Sequence, residues 1–195
     1  MLASITPLGE RGRHSHYPVT IVAFLLGAAA AGALEGLALG AIGALVLSGL
    51  SSTVRLIALA AALGAAIAVD LASRSVPGPR RQVNEQWLDR YRGWVYGLGF
   101  GAQLGIGVST IVTSAATYVA LLAALLSGRP GTGALIVGVY GTLRGLTPLL
   151  AARSRTTGQL MALHARLHRA SGPVARACLL GLGCALALAV VGAAA

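Results

Sequence analysis

Five long apolar blocks constrain this chain more than any other feature of its sequence. They cover residues 19–47, 55–72, 95–126, 132–152 and 173–194, and most charged residues lie between them. A helix needs roughly 20 consecutive apolar residues to cross a hydrocarbon core of about 30 Å. With 56% hydrophobic and only 10% charged residues, the composition differs strongly from that of soluble proteins. The sequence therefore predicts an all-α bundle of five transmembrane spans in one integral membrane domain over residues 1–195.

The arginines predict how this bundle is oriented. All 15 basic residues are arginine, and the formal net charge is +10. They collect in the N-terminal tail and in the segments 74–92 and 153–172, whereas the two short connections between spans hold one arginine each. Because basic segments stay in the cytoplasm, we expect the N-terminus inside and the C-terminus outside, in the plasma or inner membrane. Splitting the long blocks into two spans each would carry a basic segment across the bilayer.

The same placement predicts the partners. The arginines form no continuous basic face and are not interleaved with stacking aromatics, so we do not expect nucleic acid. Lipids of the bilayer, including anionic lipids, are the expected partners. A homo-oligomer or a partner membrane protein stays open as an alternative.

Glycines recur every four residues in the two longest blocks. They are Gly32, Gly36 and Gly40 in the first block and Gly97, Gly101 and Gly105 in the third. Small residues on one helical face let backbones approach closely, so this spacing predicts helix packing. The third block, at 32 residues, would extend about 48 Å as one helix, longer than the bilayer is thick. A break or re-entrant turn in its glycine-rich opening is the alternative interpretation.

Two cytoplasmic segments have the pattern of amphipathic helices lying in the interface. In the first, Asn84 caps a helix that carries the anchoring aromatics Trp87, Tyr91 and Trp94 on one face. In the second, leucines at positions 160, 163 and 167 form the apolar stripe. We expect this second helix to end at Gly172 and Pro173.

Three charged residues fall inside apolar blocks. Glu35 lies near the middle of the first block, Asp70 near the cytoplasmic end of the second, and Arg144 within the fourth. Charge in a bilayer is costly, by about 2.5 to 3.5 kcal/mol on insertion scales, so each is a candidate site residue. We predict that Arg144 pairs with Glu35 or Asp70, either as a structural ion pair or at a solute or proton site. Pro148 is expected to kink the fourth helix near this charge.

Polar residues of the third block add to this candidate site. Gln103, Thr110, Ser114 and Thr117 share one face if the block is a continuous helix. Such a stripe either lines a solute path or joins helices through hydrogen bonds. Gln103 and Thr110 are the contacts we expect a solute to make.

Neither histidine nor cysteine predicts a metal centre or an enzyme. His164 and His168 stand one turn apart, but no cysteine or carboxylate accompanies them in their segment. Cys178 and Cys184 are six residues apart on one helix, too far for a disulfide. No phosphate-binding loop or nucleophile motif occurs. We therefore expect no catalytic residues, no metal and no cofactor.

The run from Trp94 to Gly107, WVYGLGFGAQLGIG, enters a threonine-rich helix after a basic loop. It resembles the discontinuous helix of cytochrome c biogenesis and DsbD-type membrane proteins, and sulfite-exporter-like proteins are similar. The resemblance covers the second half of the chain and implies a transport-related scaffold. Members of that family pass electrons through a cysteine pair in their discontinuous helices, and neither long block here contains cysteine.

These observations favour a small transporter or exporter-like protein. Its site would combine Glu35, Asp70, Arg144, Gln103 and Thr110. A non-catalytic membrane subunit or assembly factor, whose glycine faces bind a partner, is the first alternative. A membrane protein that transfers electrons between thiols is the second.

Overall fold

The fold is helical throughout the part of the chain that the computed structural model describes. This part comprises residues 5–72, 76, 78, 86–109, 112 and 114–194. Its helices are α1 (Pro7–Gly12), α2 (Tyr17–Val46), α3 (Ser52–Ala72), α4 (Gln86–Arg90), α5 (Gly93–Gly105), α6 (Ala116–Ser127), α7 (Pro130–Gly145) and α8 (Thr157–Ala194). A 3₁₀ turn, Thr147–Ala151, follows α7.

Four helical segments in this described part are long and apolar enough to cross a membrane. They are Tyr17–Val46, Ser52–Ala72, Pro130–Ala151 and Thr157–Ala193. The apolar block 95–126 differs from the expected single span, because it is divided into α5 and α6. Neither piece reaches the roughly 20 residues that a spanning helix needs.

Helix α2 is the centre of the bundle and packs on α5 in parallel. A Cβ added to Gly97, Gly101 or Gly105 of α5 would lie 2.6, 1.9 or 2.3 Å from a backbone carbonyl oxygen of α2. Those oxygens belong to Thr20, Phe24 and Ala28, so the residue numbers rise by four from one contact to the next on both helices. The first residues of α2 and α5 therefore lie at the same end of the bundle.

Helix α7 packs on another part of α2 in the opposite direction. A Cβ on Gly32, Gly36 or Gly40 would lie 2.7, 2.0 or 2.5 Å from the carbonyl oxygens of Val137, Gly133 and Arg129, respectively. The rising numbers on α2 meet falling numbers on α7, as expected for antiparallel helices. The glycine faces are thus covered by helices of the same chain, and a partner membrane protein would have to bind elsewhere.

Helices α3 and α8 form the outer part of the bundle. Leu63 of α3 and Leu182 and Ala189 of α8 make one buried cluster, with side chains of α6 at its edge. Otherwise α8 is largely exposed. In its most apolar stretch of 18 residues, only 11% of the residues are buried. The prediction that a separate amphipathic helix ends at Gly172 and Pro173 is wrong, because α8 continues through Pro173. Proline is tolerated within membrane helices when other groups compensate for the lost hydrogen bond.

The aromatic residues near the start of α5 do not lie on one helix, because Trp87 is on α4, Trp94 is on α5 and Tyr91 is between them. α4 ends at Arg90 and α5 begins at Gly93, so Trp87, Tyr91 and Trp94 do not share one helix as predicted. The Trp87 ring stacks on Phe100 at 6.2 Å and meets Tyr91 edge-on at 5.5 Å. Tyr91 and Trp94 are 45% and 52% exposed, which suits side chains that reach the headgroups. The predicted cap Asn84 lies outside the described residues.

The region of Pro148 also differs from expectation. α7 ends at Gly145 instead of continuing with a kink, and Pro148 lies in the 3₁₀ turn. The carbonyl of Arg144 accepts a hydrogen bond from the Thr147 hydroxyl at 2.7 Å. A side chain thus supplies the donor that proline lacks.

Candidate solute site at the interruption between α5 and α6

An interruption of about ten residues separates α5 from α6 beside the middle of α2. α5 ends at Gly105 and α6 begins at Ala116, and the chain turns through Ile106 to Ser109. The Ser109 hydroxyl donates to the carbonyl of Ile106 at 3.1 Å and also contacts the carbonyl of Gln103. A helix that stops leaves its last carbonyls without intrahelical donors, and the first amides of the next helix lack acceptors. The interruption therefore exposes backbone polar groups that need partners.

Glu35 of α2 and Arg144 of α7 meet at the peptide groups of Gly107. The Gly107 N–H donates to the Glu35 carboxylate at 2.8 Å. The Arg144 guanidinium donates to the carbonyls of Gly107 and Leu104, each at 3.3 Å. Arg144 also interacts electrostatically with Glu35 and lies 5.7 Å from the centre of the Tyr140 ring. Two intramembrane charges from different helices thus converge on one turn.

Asp70 of α3 lies at the other side of the interruption, at the start of α6. Its carboxylate accepts hydrogen bonds from the Ser114 hydroxyl at 2.7 Å and from the Ala115 N–H at 2.9 Å. It therefore caps α6, whereas Glu35 is the carboxylate that lies beside Arg144.

The signs of these charges match the dipoles of the two short helices. A helix carries partial negative charge at its C-terminus and partial positive charge at its N-terminus. Arg144 places a cation on the carbonyls that end α5, and Asp70 places an anion on the amides that begin α6. Arg144 of α7 and Asp70 of α3 thus each supply a charge that matches a helix dipole, whereas Glu35 of α2 acts by accepting the Gly107 N–H.

Tyr140 and Thr117 join α7 to α6 next to these charges. Their hydroxyls lie within hydrogen-bonding distance at 2.5 Å, and Thr117 is buried. Because the Arg144 guanidinium lies over the Tyr140 ring, this contact connects α6 to the Arg144 side of the interruption.

The predicted polar stripe does not exist as one helical face. Gln103 is on α5 and Thr117 is on α6, with the interruption between them. Ser114 bonds to Asp70 instead of continuing a stripe. Gln103 lies in the last turn of α5 and is half-buried, and Thr110 lies outside the described residues.

A buried polar cluster near the N-terminus was missed by sequence reasoning. Glu10 is completely buried, and its carboxylate accepts hydrogen bonds from the Tyr96 hydroxyl at 2.7 Å and the Thr20 hydroxyl at 2.8 Å. It also forms an ion pair with Arg13 at 2.9 Å. The residues 5–16 are therefore a packed part of the bundle and not simply a polar tail.

One local signal could have indicated this cluster. Thr6 followed by Pro7 is typical of a helix start, and the Thr6 hydroxyl accepts a hydrogen bond from the Gly9 N–H at 3.0 Å. This signal predicts α1, but not its packing on Tyr96, which is 86 residues from Glu10. Partial burial by itself would lower the pKa of Arg13, yet its hydrogen bonds to Glu10 and Tyr96 raise that pKa.

The histidines and cysteines lie away from the interruption, apart from one contact. His164 is exposed on α8 and its Nδ1 lies 2.9 Å from the carbonyl of Leu160. Cys178 and Cys184 are exposed on α8, and the Cys178 sulfur is 4.0 Å from the Ser114 hydroxyl. Over the described ranges, no group of three or more potential metal ligands comes together.

No protein-family model matches the chain, and comparisons with curated proteins and with solved structures gave no match. The resemblance of the run from Trp94 to Gly107 to cytochrome c biogenesis and DsbD-type proteins therefore stays an expectation. The residues of the chain itself are therefore the basis for a functional proposal.

Proposed function

We propose that this protein moves a small solute or ion across the plasma or inner membrane, and that the solute passes the interruption between α5 and α6. The observation that carries this proposal is the convergence of Glu35 and Arg144 on Gly107, with Asp70 at the start of α6. Interrupted helices with exposed backbone groups are a recurrent way to build solute sites inside membranes.

The energetic cost of the interruption supports this role. Backbone groups without hydrogen bonds cost several kcal/mol each in a bilayer, so irregular backbone persists there only when it is covered by protein or faces a water-filled cavity. Ile106 and Val108 at the turn are 37% and 40% exposed, so protein covers the turn incompletely. A solute entering beside Gly107 would meet both a cation and a carboxylate.

The arrangement also suits an anionic solute or a proton. Arg144 holds backbone carbonyls, which are weaker acceptors than an anion. An anion could therefore replace these carbonyls as the partner of Arg144. Glu35 offers a carboxylate that can take up a proton beside it.

The parallel packing of α2 and α5 supports the proposed orientation. Arg13 precedes α2, and Arg90 and Arg92 precede α5, so these arginines gather at one end of the bundle. By the positive-inside rule that end faces the cytoplasm.

We expect the Arg144→Gln variant to lose transport per folded molecule, even if the loss of its hydrogen bonds to Leu104 and Gly107 lowers the yield of folded protein. Purified protein in vesicles would be tested with protons, chloride, sulfite and sulfate, each followed by an ion-sensitive electrode or dye. Wild type should move at least one of them, and Arg144→Gln should fall to the rate of empty vesicles because the cationic partner is gone. Arg129→Gln, which removes an exposed arginine from the connection before α7, is the matched control and should transport normally. If Arg144→Gln only lowers the yield of folded protein and its transport per molecule is unchanged, Arg144 is structural and the proposal is wrong.

A non-catalytic membrane subunit is the second candidate, and the exposure of α3 and α8 favours it. In the most apolar stretch of 18 residues of each helix, only 11% of the residues are buried. Such faces could contact a partner as well as lipid. Co-purification of a stoichiometric membrane partner that is released by tryptophan at Leu188, which is 75% exposed on α8, would favour this function over transport.

Thiol electron transfer is the weakest alternative. It would require Cys178 and Cys184, which are exposed on α8 and lie six positions apart. Replacement of both cysteines by serine should leave transport unchanged.

A further inference from the structure

A second candidate site lies at the end of the bundle where α2 and α5 begin. A pocket of about 460 Å³ opens there between the segment from Arg13 to Thr20 and the segment from Arg90 to Trp94. Drug-sized ligands and cofactors occupy pockets of about 300–1,000 Å³, so the pocket is large enough for a small organic group. It is separate from the interruption at Gly107, which none of its lining residues touches in the contacts described above.

The charge of this pocket is strongly positive. Arg13, Arg90 and Arg92 line it together with His14 and His16, and no carboxylate is among the described residues of its lining. The neighbouring buried carboxylate of Glu10 is engaged by Arg13 and by two hydroxyl groups. Within the described part of the chain, Arg90 and Arg92 form no ion pair, and both are exposed. Among the residues that the structure describes, at least two guanidinium groups of the pocket therefore have no carboxylate as an ion-pair partner.

Guanidinium groups match the geometry of phosphate. Their planar N–H donors form paired hydrogen bonds with phosphate oxygens, whereas chloride offers no such geometry. A bare phosphate ion would fill a small part of 460 Å³, and an esterified phosphate with a glycerol or similar group would fill more of it. The exposed rings of Tyr91 and Trp94 at the rim are the side chains that membrane proteins use at headgroup depth.

We infer that this pocket binds a phosphate ester through Arg90 and Arg92, either the headgroup of an anionic phospholipid or a soluble phosphate ester. Binding there would join the segment before α2 to the segment before α5 across the pocket. This inference does not depend on transport at Gly107.

Lipid retention tests this inference directly. Native mass spectrometry of the detergent-purified protein would compare bound phosphatidylglycerol with bound phosphatidylcholine. Wild type should retain phosphatidylglycerol preferentially. The Arg90→Gln/Arg92→Gln variant should retain at least fivefold less phosphatidylglycerol than wild type. The Arg153→Gln/Arg155→Gln variant removes the same charge from another exposed segment and should stay within twofold of wild type.

A second variant guards against misfolding of the first. His16→Glu places a carboxylate at the pocket and at the N-cap of α2, where negative charge favours the helix. His16→Glu should fold normally, and it should retain as little phosphatidylglycerol as the Arg90→Gln/Arg92→Gln variant.

Competition by soluble compounds distinguishes the two sources of phosphate. Inorganic phosphate and glycerol 3-phosphate would be titrated against the retained lipid and against lipid-free protein. Millimolar glycerol 3-phosphate that binds lipid-free wild type and displaces the lipid would identify a soluble ester, and lipid retention that resists it would identify a headgroup. The inference would be overturned if the Arg90→Gln/Arg92→Gln and Arg153→Gln/Arg155→Gln variants lost equal amounts of lipid. It would also be overturned if wild type bound neither phosphatidylglycerol nor a soluble phosphate compound.

Discussion

Replacing Gly101 by alanine should destabilise the protein strongly. The new Cβ would lie 1.9 Å from the Phe24 carbonyl oxygen and 3.0 Å from the Ala28 nitrogen, both backbone atoms of α2. Backbone within a helix cannot move aside alone, so α2 and α5 would have to separate along their whole contact. Overpacking costs about 1–3 kcal/mol and occasionally more, and a clash with backbone belongs at the upper end. Thermal unfolding in detergent, followed by circular dichroism, measures the loss.

Gly64→Ala is the matched control for this change. Gly64 lies within α3, and a Cβ there would meet no atom within 4 Å. Alanine is the better helix former by up to about 1 kcal/mol, so this variant should unfold at or above the wild-type temperature. Equal unfolding temperatures for Gly101→Ala and Gly64→Ala would contradict the close packing of α2 on α5.

Replacing Glu10 by alanine should have an effect of similar size at the N-terminal end. The change removes the acceptor for the Tyr96 and Thr20 hydroxyls and the ion-pair partner of Arg13. The Arg13 side chain is 23% exposed and can be hydrated, so the main cost is that the buried Tyr96 and Thr20 hydroxyls lose their acceptor, about 1–3 kcal/mol. The free energy of unfolding should fall accordingly, and residues 5–16 should become sensitive to protease in the folded protein.

Two comparisons make this prediction specific. Arg11→Ala changes an exposed neighbour on α1 and should leave unfolding and proteolysis as in wild type. Glu10→Gln keeps one carbonyl acceptor and should lie between wild type and Glu10→Ala. If Glu10→Ala is as stable and as protease-resistant as Arg11→Ala, the N-terminal segment does not pack as described.

The long uniform helices were readily predictable from the sequence. The first block was expected at 19–47, and α2 spans Tyr17–Val46. The second was expected at 55–72, and α3 spans Ser52–Ala72. Continuous apolar residues without proline beyond the first turn define such segments locally, so their bounds can be read without knowledge of the packing.

The interruption between α5 and α6 was expected only as an alternative, a break in the glycine-rich opening of the third block, and it begins at Ile106 near the end of that opening. No proline lies between Gly105 and Ala116, and the four serines and threonines there are also common within membrane helices. The groups that hold the broken backbone are Glu35, Asp70 and Arg144, which are distant in sequence. Glycine spacing indicated close packing, but it cannot distinguish a helix that continues from one that stops.

Local breaker signals were overridden in α8 for the opposite reason. Gly172 followed by Pro173 predicts a helix end, yet α8 runs through both. The hydroxyl of Ser171 donates to the carbonyl of His168 at 2.7 Å, so one carbonyl of this turn has an additional donor. Proline removes one hydrogen bond, but the apolar residues on both sides still favour a helix in lipid.

The candidate site was predictable in part. Glu35 and Arg144 could be singled out because charge within an apolar block is costly, and the structure brings both to Gly107. The sequence could not predict that Asp70 caps α6, because the apolar pattern does not separate α6 from α5.

Water access at the interruption tests the central claim most directly. In a background with Cys178→Ser and Cys184→Ser, Ser109→Cys would be treated with a membrane-impermeant maleimide in sealed vesicles. The transport account predicts labelling of Ser109→Cys from one side of the membrane, as for Ser48→Cys in the exposed turn after α2, whereas Ala185→Cys on the exposed surface of α8 should react only after detergent is added. If Ser109→Cys also stays unreactive until detergent dissolves the vesicles, the interruption is dry and the protein does not move a solute past it.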